Sequence, residues 1–232
     1  MPAWSYTALT SFETCPRKHY HTRVKKDVHE AEGAALLLGS AAHKALELRI
    51  ADGTPIPKTV QVTTKGGDTA VAPTTGWEEM IQKIIGVSGD VFTEKQIALD
   101  NRLVEVSWYD KTAWVRGVID VGVKSGSKVL ALDYKTGKRK PGSEQLELFA
   151  ALVMAVWPDV EEVKTGFIWL KTNQIDVDGF TRAQLPEIWD KFNARVKRLE
   201  IAHADNRWEP KPSGLCRAWC AVRSCEFNGD RG

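Results

Sequence analysis

The sequence predicts an α+β fold, with helices packed on one sheet. Three apolar, β-compatible runs follow one another in the middle of the chain. Segments with three-and-four apolar spacing stand before them, after them, and after one last strand-like run. The order helix, three strands, helix, strand, helix suggests a meander, with the later strand pairing beside it.

The elements follow in order. Residues 1–32 form an N-terminal segment carrying Cys15, in which Cys15-Pro16-Arg17-Lys18 follows a Ser-rich, turn-like opening. Gly33 to Ile50 has helical spacing, and Asp52-Gly53 stops it. Residues 53–76 are rich in Thr, Gly and Pro without a clear period, and 53–100 as a whole reads as an insertion. A short helix over Trp77 to Gly86 lies within it. Residues 101–175 then hold the core sheet and a helix. The expected strands are Leu103 to Tyr109, Ala113 to Val123 and Lys128 to Tyr134, separated by turns at Asp110-Lys111 and Ser125-Gly126-Ser127. Ser143 to Val156 is helical, with Ser143 as N-cap. Val163 to Leu170 is a fourth strand, and Leu185 to Ala202 an amphipathic helix. Residues 205–232 form a short tail that carries cysteines.

Composition narrows the class. A chain of 232 residues, 43% apolar, suits one domain spanning 1–232 with a sizeable core. The net charge of +2 does not announce nucleic-acid binding, so local patches must carry that argument. No run of eighteen apolar residues offers a membrane span. The start lacks a basic segment followed by an apolar stretch, so no signal peptide is expected, and the expected compartment is the cytoplasm. Thiols stay reduced there, and clustered cysteines then bind metal more often than they form disulfides.

The chemistry centres on Asp120, Asp133 and Lys135. Residues i and i+2 of a strand share a face, so Asp133 and Lys135 lie together, and a hairpin can bring Asp120 beside them. Neighbouring carboxylates repel, which favours a bound cation. Mg²⁺ takes oxygen ligands and needs only one or two carboxylates. A nearby lysine can hold a scissile phosphate or steer an attacking water. Phosphodiester hydrolysis requires this grouping. Against it stands the ordinary surface reading, since a lone D-x-K triplet is common; an acid inside the apolar run Gly117-Val118-Ile119-Asp120 is not.

Four segments in order resemble motifs of the PD-(D/E)XK nucleases, in particular the RecB-like branch. They are Gly39-Ser40-Ala41-Ala42-His43, Arg116-Gly117-Val118-Ile119-Asp120, Asp133-Tyr134-Lys135-Thr136-Gly137 and Gln145-Leu146-Glu147-Leu148-Phe149-Ala150. Phe149 stands where the last motif usually carries tyrosine, so no hydroxyl acts there. The resemblance implies a restriction-endonuclease-like core, a mixed central sheet flanked by helices. It implies His43, Asp120, Asp133 and the carbonyl of Tyr134 as ligands of Mg²⁺ or Mn²⁺. It also implies Lys135 as the catalytic lysine, with Gln145 orienting it or the DNA. Glu47, one helical turn beyond His43, reads as a solvated partner. The implied activity is that of a metal-dependent deoxyribonuclease, an exonuclease acting on DNA ends or single strands. The alternatives are a nuclease that trims DNA before CRISPR integration and a non-catalytic DNA-binding module. The compact form fits a stand-alone phage enzyme, working in the host cytoplasm.

Cys15 stands near the start, and Cys216, Cys220 and Cys225 cluster in the tail. Four thiolates suit an iron–sulfur cluster or zinc. Members of the RecB-like branch carry this layout around a cluster, which implies a 4Fe–4S centre here, with zinc as the alternative. Two basic runs complete the picture: Lys138, Arg139 and Lys140 beside the acids, and Arg17 and Lys18 beside Cys15. They are candidate DNA contacts, weighed against ordinary solvated faces. Most of the nine tryptophans read as core; Trp219, between two tail cysteines, is the exposed candidate for base stacking.

Overall fold

A computed structural model describes residues 1–140 and 142–229. Residues 230–232 of the expected tail lie outside the described residues. Among the described residues the elements are α1 (Tyr6–Thr14), α2 (Pro16–His19), a π-helical turn (Tyr20–Val24) and α3 (Ala34–Asp52). Then come β1 (Thr59–Thr63), β2 (Thr69–Pro73), α4 (Trp77–Ile85), β3 (Asp90–Leu99), β4 (Val115–Ser125) and β5 (Lys128–Lys135). The last are α5 (Glu144–Val156), β6 (Glu162–Trp169), β7 (Gln174–Thr181) and α6 (Leu185–Ala204). The chain divides into two compact units, Met1–Ala31 with Trp189–Gly232, and Glu32–Ile188.

The larger unit is built on a five-stranded sheet of order β3-β4-β5-β6-β7. The pairs β3–β4 and β4–β5 are antiparallel, as a meander requires. Next, β5 pairs with β6 in parallel, and α5 makes the crossover that a parallel pair needs. At the other edge, β7 returns antiparallel on β6. Ser143 caps α5 by accepting the N–H of Gln145 at 3.2 Å, as its residue type predicts. Gly53, at φ 77°, closes α3 in the left-handed conformation that glycine adopts without strain. Leu38, Ala42 and Leu46 recur one turn apart on α3 and are buried in a core with Trp77, Ile81, Val121, Val123, Leu132 and Tyr134. His43 follows Ala42 directly on that helix, so the stripe that anchors α3 also aims the histidine at the sheet.

Several expectations need correction. Leu103 to Tyr109 alternates but forms no strand. The buried carboxylate of Asp100 takes the N–H groups of Arg102 and Val104, both at 2.9 Å, and Leu103 turns left-handed at φ 64°. These bonds wind the segment into a loop, and the first strand of the meander is β3. The stretch 53–100, read from the sequence as an insertion, carries regular structure. It contains the hairpin β1–β2, the core helix α4 and the edge strand β3. The opening before Cys15 is helical, with Ser5 capping α1 through the N–H of Ala8 at 3.2 Å. The polar strand β7 lacks the apolar pattern that would mark it, because it lies at an edge and is mostly exposed.

The smaller unit has its own core. Trp4 stacks on Phe192 of α6 with centroids 5.8 Å apart. Arg195 of α6 grips Glu13 of α1 through two bonds, at 2.8 and 2.7 Å. Trp208 is ringed by Phe12, His19, Tyr20 and His203, with centroids 4.8–6.2 Å away. Burial, reinforced by Arg23 and His203, pushes the His19 pKa down from 6.5 to about 4. The unfolded chain thus takes up a proton on this ring before the folded one does. Stability is full above the unfolded value and is lost as pH falls from about 6.5 toward 4. His19→Leu is expected to remove about 2–3 kcal/mol of that acid sensitivity. Denaturation midpoints of both proteins at pH 7 and pH 4.5 check this; identical pH slopes would show that His19 is not the group responsible.

Candidate active site

Asp120 and Asp133 are both buried, at 7% and 6% exposure. The β4–β5 ladder runs from Ser125↔Lys128 to Val121↔Leu132. One position beyond it, the side chain of Asp120 takes over, and Oδ2 accepts the N–H of Tyr134 at 2.7 Å. The carbonyl of the same residue accepts from His43 Nε2 at 3.0 Å, and His43 Nδ1 lies 3.3 Å from Asp120 Oδ2. Asp120, His43 and the Tyr134 backbone thus form one connected group. Burial works against a charged His43 ring, but the hydrogen bond and charge of Asp120, helped by Asp133, outweigh it and raise the pKa. The ring of Tyr134 is core, so this residue enters the site only through its backbone.

On β5, Lys135 Nζ lies 2.6 Å from Asp133 Oδ2 and 3.3 Å from Gln145 Oε1. The Gln145 amide donates to Asp133 Oδ1 at 3.1 Å. Lys135 also sits over the Phe167 ring, 4.7 Å from its centroid. The ammonium is therefore held by a carboxylate, an amide and an aromatic face. Asp133 Oδ2 is buried and has that ammonium beside it as its ion-pair partner. Burial, and then the charge of Asp120, push the Asp133 carboxyl well above the usual carboxylate range, with Lys135 and His43 opposing.

A third acid, outside the sequence-based expectations, joins them. Glu94 of β3, with His43 and Asp120, brings three ligand atoms within 4.8 Å of one another. The β3–β4 register runs from Thr93↔Val121 to Lys95↔Ile119, passing over Glu94 and Asp120. Glu94 adopts φ 47°, a left-handed conformation rare outside glycine and typical of strained functional positions. Burial and Asp120 raise its carboxyl pKa. Nothing in the local sequence marks this residue; its antiparallel pairing with β4 would have revealed it. Three acids against one lysine and one histidine, with the ligand atoms of His43, Glu94 and Asp120 converging, make a donor set that fits a hard divalent cation. Glu47 is engaged by Lys44 at 2.9 Å instead.

The remaining candidates fall in two places. Lys138, Arg139 and Lys140 follow β5 in the larger unit. Lys138 and Lys140 are exposed, while Arg139 is held by Asp176 through two bonds, at 2.8 and 2.5 Å. Arg17 and Lys18 belong to the smaller unit. Arg17 bonds the Trp208 carbonyl at 3.0 Å and pairs with Glu226 at 3.4 Å; Lys18 pairs with Glu30 at 2.6 Å. Trp219 is 77% exposed.

All four cysteines lie in the smaller unit and line one small cavity there. Backbone N–H groups of Lys211 and Ser213 point at the sulfurs of Cys15 and Cys216, at 3.5 and 3.4 Å. Asn228 shapes the loop by donating to the carbonyls of Cys220 and Val222, both at 3.0 Å. Among the described residues, only His43, Glu94 and Asp120 bring three such ligand atoms within 4.8 Å, so no three thiol sulfurs crowd that closely.

Because the acids repel, Asp133→Asn is expected to stabilise the metal-free protein by about 1–2 kcal/mol at pH 7, the usual range for relieving an active-site conflict. The gain should shrink as pH falls and the wild-type carboxyl takes up its proton. Melting temperatures in chelator at pH 8 and pH 5 measure it; a variant that melts lower at both would refute the conflict.

A family profile described as the PD-(D/E)XK nuclease superfamily matches residues 3–225. No match was found among curated proteins. A crystal structure from Eubacterium rectale, provisionally assigned as an exonuclease, superposes with a TM-score of 0.54 at 13% identity, over 94% of this chain and 86% of the other. The structure of SSO0001 covers 98% of this chain and 88% of its own at 11% identity, with a TM-score of 0.43. The mixed sheet, its flanking helices and the match over nearly the whole sequence agree: this chain belongs to the PD-(D/E)XK nuclease superfamily.

Proposed function

We propose that this protein is a Mg²⁺- or Mn²⁺-dependent deoxyribonuclease that works as an exonuclease on DNA ends or single strands. The observation that carries the reading is the joining of Asp120, Asp133 and Lys135 at adjacent strand ends, with His43 and Glu94 beside them. His43, Glu94 and Asp120, with Asp133 and the Tyr134 carbonyl beside them, would hold a divalent ion, which would supply Lewis acidity for phosphodiester hydrolysis. The chain's own groups do the rest. Lys135 presents N–H donors to a phosphate oxygen where negative charge grows. Gln145 and Asp133 hold that ammonium in place. Lys138 and Lys140 offer exposed positive charge to the phosphate chain. The solved structure from Eubacterium rectale, provisionally assigned as an exonuclease, supports the exonuclease part of the reading. No helix among the described residues is long and apolar enough to cross a membrane. Free thiols suit a cytoplasmic setting.

Lys135→Ala should lower cleavage at least about a hundredfold while DNA binding persists, since one donor to a developing charge is worth that much. The assay is digestion of end-labelled single- and double-stranded DNA, linear against circular, with Mn²⁺ and with chelator. Resistance of circular DNA supports an exonuclease. Efficient cutting of circles would overturn that part, and a Lys135→Ala protein cutting at the wild-type rate would overturn the site.

The same reading assigns Cys15, Cys216, Cys220 and Cys225 to a 4Fe–4S cluster. Protein purified without oxygen should be brown, with broad visible absorption. Any single Cys→Ser should bleach it and lower the melting temperature, because the tail loses its tie to the N-terminal segment. A colourless protein holding one zinc would keep the structural role and reject the iron.

A further inference from the structure

The segment from Arg17 to Lys26 holds five lysines and arginines. Three of them are already paired: Arg17 with Glu226, Lys18 with Glu30 and Lys25 with Asp27. Arg23 and Lys26 are exposed, and among the described residues neither makes an ion pair. These two line the same cavity in the smaller unit, about 290 Å³ in volume. The imidazoles of His19 and His203 also line it, with Trp4 and Leu199 among its apolar residues. Among the described residues, no aspartate or glutamate does. His19 is buried and its Nδ1 has no hydrogen-bond partner. The charges that reach its ring, those of Arg23 and His203, both oppose its protonation. The cavity is therefore basic and lacks an internal counter-charge, in a segment where every other lysine and arginine has one.

We propose that this cavity binds one phosphate group of the DNA strand, in a contact that the acid cluster of the larger unit does not make. The proposal rests on the nuclease reading above, which supplies the identity of the ligand. A cleft lined by charge of one sign, with low-dielectric walls, focuses the field and draws in ions of the opposite sign. The Arg23 guanidinium offers a planar fork that matches two phosphate oxygens, and the Lys26 ammonium adds a compact charge. Arg17, by contrast, has its Nε spent on the Trp208 carbonyl and its charge on Glu226. A volume of about 290 Å³ lies at the small end of the range of ligand pockets and suits a phosphate with its sugar. A bound phosphate also offsets the positive charges that face His19.

The test compares three substitutions that each remove one positive charge from the same segment: Arg23→Gln, Lys26→Gln and Lys25→Gln. All three positions are exposed, so the core is left alone. Binding of a labelled single-stranded oligonucleotide is measured over a range of salt, in chelator so that nothing is cut. At about 0.1 M salt, Arg23→Gln and Lys26→Gln should each raise Kd about fivefold and lower the salt slope by about 0.7, the loss of one phosphate contact on a single strand. Combining them should cost little more than either alone, since both serve one phosphate. Lys25→Gln should change Kd less than about twofold, because Asp27 already matches its charge. Equal effects of all three would reveal general surface charge and overturn the site, as would unchanged salt slopes in the first two. Melting in inorganic phosphate gives an independent reading, and phosphate should raise the Tm of the wild type more than that of Arg23→Gln. If phosphate does so while every protein binds DNA equally, the cavity takes free phosphate and the strand contact is refuted. A wild-type protein that binds DNA through Arg23 and Lys26 but cuts none with Mn²⁺ would overturn the nuclease reading and leave this contact standing.

Discussion

The larger unit is organised by one costly arrangement: two carboxylates buried side by side at the ends of neighbouring strands. Taking an ionised carboxylate out of water costs several kcal/mol, and a second one beside it adds repulsion. Each carboxylate is bearable only because particular groups meet it. Asp120 takes the Tyr134 N–H and lies against His43; Asp133 takes the Gln145 amide and lies against Lys135. These partners come from α3, β5 and α5, so the requirement to satisfy two acids dictates where three elements meet. Conflict between the acids is tolerated here, and the result is a preorganised acidic site whose His43, Glu94 and Asp120 could hold a divalent cation.

The sheet topology makes that meeting possible. The meander β3-β4-β5 places Glu94 and Asp120 opposite one another, where the ladder skips a pair. The parallel step from β5 to β6 requires a crossover, and α5 supplies it. Its first turn consequently stands over the end of β5, which is why Gln145 reaches both Asp133 and Lys135. The open end of an α/β crossover is a common place for ligands for the same reason: side chains from a strand end and a helix start converge there.

The smaller unit solves a different problem. It is made from the two ends of the chain, and two short stretches make a modest core. Aromatic rings around Trp208 supply much of it, with Arg195 and Glu13 bracing the helices. Cys15 and the tail cysteines stand roughly 200 residues apart in the chain, and a metal tie across such a loop would contribute on the order of a few kcal/mol by restricting the unfolded chain. Asn228 braces the tail loop by donating to the carbonyls of Cys220 and Val222.

Much of this was legible in the sequence, for local reasons. Period-two spacing put Asp133 and Lys135 on one face, apolar periodicity placed α3 and α5, and Ser143 marked a helix start. The motif order around His43, Asp120, Asp133 and Gln145 pointed to the nuclease superfamily, which the profile match over residues 3–225 bears out. Other features depend on partners distant in the chain. Leu103 to Tyr109 has strand-like alternation, yet the carboxylate of Asp100 captures its backbone and β3 takes its place. Glu94 is unremarkable by its neighbours and becomes part of the acid cluster only when β3 pairs with β4. Arg139 reads as one charge in a basic run, and only the return of β7 gives it Asp176. The sequence by itself determined which residues could do chemistry and which helices and strands would carry them, because those signals act over a few residues. The tertiary structure decided which acids stand together and which cations are already paired, because electrostatic and hydrogen-bonding partners are set by strand register across the sheet.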